Sequence, residues 1–202
     1  MTGYIAGCLL LGAVAGSPQG VGGAQLDEAA ELSAFAGRVS TYVEVHRRLE
    51  GPIPPLMAGK DMQEVYRLMA ALRGAIRAER GAPVQGALVT PQLAIVLRNV
   101  VSRTLTVEDL IDLDAELLEH TPRSMRKPCV NEQRPEGAPF VMIAPQLLRA
   151  LPPLPPELRY LALSKALVIW DHHADLVVEV VPGLFDPESY RTTLIAGPPG
   201  SR

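Results

Sequence analysis

The sequence predicts a mainly helical α+β protein, in which a four-helix array leads through a proline-rich strut into a small three-stranded antiparallel β-meander. Apolar residues recur at three-four spacing across residues 26–120, the period of a helix with one buried stripe. Residues 158–181 (LRYLALSKALVIWDHHADLVVEVV) instead hold short runs of apolar and β-branched residues broken by polar pairs, as strands do. Between the two regions, Leu151-Pro152-Pro153-Leu154-Pro155-Pro156 must run extended, because each proline fixes its own φ and restricts its predecessor. The chain therefore divides into a signal peptide or N-terminal apolar segment (1–24), a helical region (26–120), a loop and connector (121–157), the meander packed on the helices (158–182) and an extended tail (183–202).

The first helix, over 26–50, carries Leu32, Phe35, Ala36, Val39, Tyr42, Val43, His46 and Leu49 on one stripe, and Gly51-Pro52-Ile53-Pro54-Pro55 ends it. His46, on that stripe, reads as a core or boundary histidine bonded to a carbonyl. The second helix opens at Asp61, with Glu64 placed to complete a capping box. It buries Val65, Leu68, Met69, Leu72 and Ile76, sends Arg67, Arg73, Arg77 and Arg80 to water, and stops at Gly81. Thr90 caps the third helix, with Pro91 where a missing amide costs nothing, and Leu93, Val96, Leu97, Val100, Val101 and Leu105 follow on one side.

A fresh cap at Thr106 starts a fourth helix that runs through Glu119. It buries Val107, Leu110, Leu113 and Leu117 and turns Asp109, Asp112, Glu116 and Glu119 to solvent. Residues 121–139 read as a surface loop with mobility, carrying Cys129, and 145–151 as a short helix. The strands are expected at 159–163, 166–171 and 175–181, with Pro182-Gly183 closing the last. The meander's edge strand is expected to be exposed.

Composition narrows the function. The chain has 202 residues, is 48% hydrophobic and only 4% aromatic, so its core rests on Leu, Val, Ala and Met. With 19 basic and 22 acidic residues and a net charge of −3, it has no overall field to draw nucleic acid or an anionic membrane. Residues 1–26 lack charge, and the apolar run at 4–15 is short of the ~20 residues that cross a bilayer but suits a signal-peptide core. Cleavage after Ala13-Val14-Ala15 or Gly22-Gly23-Ala24 would send the protein to the periplasm or outside the cell; membrane attachment follows only if the segment is retained.

The one dense cluster of chemically able side chains is Asp171-His172-His173-Ala174-Asp175, at the second turn of the meander. Neighbouring histidines on a strand project to opposite faces, so a structural turn is expected, with Asp171 or Asp175 accepting backbone amides and no cofactor. The alternative is a divalent metal, zinc or manganese, held by Asp171, His172, His173 and Asp175. The sequence displays no nucleophile–base set, phosphate loop or complete metal signature. The expectation is thus a non-enzymatic exported accessory subunit or binding module that acts through its surfaces on another protein or a larger assembly. A metal-dependent hydrolase centred on residues 171–175 is the rival, and a membrane-anchored subunit of an envelope complex the third reading.

Two resemblances bear on this. The string VIWDHHAD resembles the Asp-His-His motif of the DHH phosphoesterases, which implies a two-metal phosphodiester hydrolase with Asp171 as a ligand and His172 and His173 at the metal or phosphate site. That family also has aspartates on earlier strands of an α/β domain, whereas Asp112 and Asp114 here fall in a helical pattern. The C-terminal third, ELRYLALSKALVIWDHHADLVVEVVP after its proline run, together with the helix-proline unit at 35–55, is similar to small exported bacterial proteins of unknown function. This resemblance implies export.

Overall fold

The computed structural model describes residues 21–52, 61–82 and 84–195. They form α1 (Val21–Glu50), α2 (Met62–Arg80), α3 (Pro91–Thr104), α4 (Val107–His120), α5 (Pro145–Ala150), β1 (Leu158–Leu163), β2 (Ala166–Asp171), β3 (Leu176–Val181) and α6 (Glu188–Ile195). The predicted class, mainly helical α+β, is the one observed. Most of the expected leader, the prolines at 54 and 55 and the last residues of the tail lie outside the described residues; the part of the leader from Val21 onward is helical and continuous with α1.

Helix starts follow local chemistry. Thr90 Oγ1 accepts from Leu93 N at 3.1 Å to open α3. Thr106 and Asp109 form a reciprocal capping box, with Asp109 N donating to Thr106 Oγ1 at 3.1 Å and Thr106 N to Asp109 Oδ2 at 2.8 Å. Asp61 caps α2 by accepting from Gln63 N. The buried stripes of α1, α2 and α3 meet, with Phe35, Val39, Tyr42, Val43, Leu72, Ile76, Leu93, Leu97 and Val101 in one core. Two of the α2 arginines expected in water are half-buried instead. Arg73 Nη1 donates to Ala174 O at 3.0 Å, while Arg80 donates to Asn131 Oδ1 at 2.9 Å and lies over the Tyr42 ring. Long guanidinium arms reach backbone carbonyls and ring faces that no pattern within α2 reveals.

The strands pair in the order β1-β2-β3, all antiparallel. Ser164 and Lys165 both have positive φ, the two-residue turn whose twist suits a hairpin, and Lys165 Nζ is held by Asp114 at 3.1 Å and Asp186 at 3.3 Å. Side chains alternate across the sheet. Ala162, Leu167, Ile169, Leu176 and Val178 face the helices, whereas Leu161, Leu163, Val168 and Val177 form a second apolar layer on the opposite face with Ala138.

That second layer bears on the loop expected at 121–139, which carries no helix or strand and is exposed or half-exposed for most of its length. Its middle is nonetheless tied to the edge of β3: Asn131 N donates to Val177 O at 2.9 Å and Val177 N to Glu132 O at 2.8 Å. Val130, Asn131, Ala138, Val141 and Ile143 are buried. The start of β3, one of the meander's two edge strands, is therefore paired at Leu176 and Val177, a standard protection against pairing with another chain.

Glu179 is the other buried surprise on β3. Only 1% exposed, it accepts from Gly86 N, Leu88 N and Val89 N at 3.1, 2.9 and 3.3 Å, and so pins the loop before α3 to the sheet. The tail, expected to be extended, turns back. Leu184 and Phe185 are buried, Tyr190 Oη donates to Leu184 O at 2.7 Å, and α6 follows. Two large apolar side chains directly after the turn outweigh the turn-forming residues around them, because burying each contributes about 1.5–3 kcal/mol.

Candidate functional site

Tyr42, His46 and Glu50 stand one helical turn apart at the end of α1, on the face turned to the β2–β3 connection. Gly51 N closes the helix onto Arg47 O at 3.0 Å, which fixes where Glu50 sits. Across from them Asp171, the last residue of β2, is wholly buried. Its Oδ1 accepts from His173 N at 3.1 Å and Ala174 N at 3.0 Å and so shapes the turn. Its Oδ2 accepts from Tyr42 Oη at 2.7 Å and from His46 Nδ1 at 2.6 Å.

An ionised carboxylate can only accept, so the His46 proton lies on Nδ1. On the other side of the ring, His46 Nε2 is 3.0 Å from Glu50 Oε2, and Glu50 Oε1 is 2.8 Å from His173 Nδ1. The result is a continuous chain, Tyr42–Asp171–His46–Glu50–His173, that passes from a closed interior to a half-exposed rim.

Electrostatics follow from the geometry. Burial alone would raise the Asp171 pKa, but the hydrogen bond and charge of His46, with the Tyr42 hydroxyl and the Ala174 amide, hold it below the ordinary value of 3.8. Burial likewise works against a charged His46, yet its bond to Asp171 and the charges of Asp171 and Glu50 raise it above 6.5. The Tyr42 hydroxyl, desolvated beside a carboxylate, is pushed far up and remains protonated.

The structure scatters the four side chains that the sequence grouped. Asp171 points into the core, and His172 Nε2 lies 2.8 Å from Pro156 O, its pKa lowered by burial. His173 points to Glu50. Asp175 accepts from Trp170 Nε1 at 3.0 Å and from Gln133 Nε2 at 2.8 Å. Asp171, His172, His173 and Asp175 therefore do not converge on one point: successive residues of a tight turn leave it in different directions. The ligand-capable group among the described residues is His46, Glu50 and His173, whose donor atoms all lie within 4.8 Å of one another. His46 bonds carboxylates instead of the carbonyl expected of it. The sequence signal that could have found the group is His-x-x-x-Glu at the end of a helix, which brings both side chains to one face.

A second feature lies on the far side of the same turn. The Arg134 guanidinium sits 4.4 Å from the Phe140 ring centroid and 5.6 Å from that of Trp170, and the two rings meet edge to face. From 140 to 143 the chain alternates sharply: Phe140 is 64% and Met142 80% exposed, while Val141 and Ile143 are buried.

No protein-family model, curated protein or solved structure matches the chain. Among the described residues no helix is long and apolar enough to cross a membrane. Cys129 is exposed and its thiol reaches only Lys127 O, and no serine, threonine or cysteine among those residues is hydrogen-bonded to a histidine.

Proposed function

We propose that the protein is a non-enzymatic binding module, an exported accessory subunit that engages another protein through the face around Phe140, Met142, Trp170 and Arg134. The observation that carries this is the inverted alternation of residues 140–143. Where inward positions are already apolar, outward ones are normally polar, yet here they are Phe and Met. Arg134 stacked on Phe140 and Trp170 holds those groups in place before any partner arrives, so little side-chain freedom is lost on docking. Aromatic, Met and Arg side chains are also the types enriched at the centres of protein interfaces. The apolar run at 4–15, outside the described residues, supports export.

A photo-reactive phenylalanine analogue placed at 140, at 142, and at the exposed control position Leu118 (70% exposed) on α4 tests this in the native host. The proposal expects one discrete adduct from positions 140 and 142 and none from 118; an adduct to a second copy would make the module its own partner. Absence of any adduct at 140 and 142, or the same adducts at all three positions, overturns it.

A further inference from the structure

Independently of that face, the geometry points to a site for one divalent transition-metal ion, zinc by ligand type, formed by His46 and Glu50 at the end of α1 and His173 on the β2–β3 turn. Two imidazole nitrogens and one carboxylate form a donor set that suits zinc and its first-row neighbours, and that does not suit calcium or magnesium, which take oxygen ligands. The spacing fits. Glu50 Oε2 lies 3.0 Å from His46 Nε2 and Glu50 Oε1 2.8 Å from His173 Nδ1, and one donor atom from each of the three residues lies within 4.8 Å of the other two, a spread that brackets the edge of about 3.4 Å of a tetrahedron whose ligands are about 2.1 Å from an ion. Glu50 and His173 are each about one-third exposed, so an ion can enter and a small shift of either side chain opens the remaining few tenths of an ångström.

Behind the donors stands a buried carboxylate. Metal-binding histidines usually donate their other ring N–H to a carboxylate, which fixes the tautomer and the ring plane. Asp171 does this for His46 at 2.6 Å, so that Nε2, the nitrogen 3.0 Å from Glu50, is the one left to bind an ion once it gives up any proton. The same carboxylate places the second imidazole by its main chain, accepting from His173 N at 3.1 Å. One buried anion thus orients both nitrogen donors, although they come from a helix and a turn far apart in the sequence. With three protein ligands, His46 buried and Glu50 and His173 each about one-third exposed, a fourth position would be left on the Glu50–His173 side for a water or an outside ligand. Asp171 is a positioning residue here, not a ligand.

The test uses the untagged chain, stripped with chelator and desalted, and titrated with zinc by calorimetry and with cobalt(II) by visible absorption. One equivalent should bind, with the intense cobalt bands of a four-coordinate site. Glu50→Ala and His173→Ala, at the half-exposed rim, should keep the far-ultraviolet circular dichroism of the parent. Each should lose affinity by more than the roughly 10–100-fold that removal of an outer partner costs, while His120→Ala, an exposed histidine on α4, binds as the parent does. Failure of the folded parent to bind one equivalent of zinc overturns the inference. So does binding that survives unchanged in both Glu50→Ala and His173→Ala. Neither result touches the docking face at Phe140.

Discussion

Asp171→Ala is expected to lower the unfolding free energy by about 3–5 kcal/mol, the range for breaking a buried, fully engaged ion pair. The carboxylate is the meeting point of a helix and a sheet. Its loss leaves the Tyr42 hydroxyl, the His46 ring and the amides of His173 and Ala174 without their acceptor in a closed interior. Water can replace it only by parting α1 from the turn. Asp171→Asn keeps the volume and one acceptor oxygen but turns an amide NH2 towards donors, so it should fall between the parent and Asp171→Ala. Urea denaturation of the three proteins checks the order, and a cost below about 1 kcal/mol for Asp171→Ala, the level of one ordinary hydrogen bond, would mean that the carboxylate is a bystander.

Glu179→Ala should cost about 2–4 kcal/mol, since each buried donor left unmet costs about 1–3 kcal/mol and the loop can recover part of that by loosening toward water. The effect has an address. The amides of Gly86, Leu88 and Val89, now held by the Glu179 carboxylate, should exchange with solvent much faster, while those of β2 keep their protection. Uniform loss of protection throughout the chain would show instead that Glu179 stabilises the whole fold and not this loop. Glu179→Gln, which retains one acceptor oxygen, should show the same pattern more weakly.

Much of the fold is legible in the sequence because its signals are local. Thr90-Pro91 and Thr106-x-x-Asp109 announce helix starts through contacts within one turn, and the runs between 158 and 181 mark strands to within a residue of β1 (Leu158–Leu163), β2 (Ala166–Asp171) and β3 (Leu176–Val181). In the loop over 121–139 the pairing of Asn131 and Glu132 with Val177 escapes notice because β3 is a partner that sequence neighbours do not reveal. The tail misleads for the same reason, as Phe185 is held by the core and not by its own propensity. The candidate site is half legible. Asp171 accepting turn amides is readable from its position, but the convergence of His46 and Glu50 on His173 depends on how the end of α1 meets the β2–β3 turn. Dense local clusters such as Asp171-His172-His173-Ala174-Asp175 attract notice, yet a tight turn is a poor place to aim four side chains at one ion.

Nitrogen-15 NMR of the His46 ring in chelator-treated protein tests most directly the claim that a buried Asp171 joins α1 to the sheet. The expected spectrum has a proton on Nδ1 at every pH where the protein is folded, shifted far downfield by the 2.6 Å bond to Asp171, and a ring titration above 6.5. The sign of the linked stability follows. With its folded pKa above 6.5, His46 contributes stability that is present below 6.5 and is lost as pH rises through the folded value; Asp171, held below 3.8, contributes above 3.8 and is lost as pH falls through its own. The contribution of the pair should therefore be greatest between those two values and decline on both flanks. A His46 ring that titrates at or below 6.5 and carries its neutral-form proton on Nε2 would contradict the account.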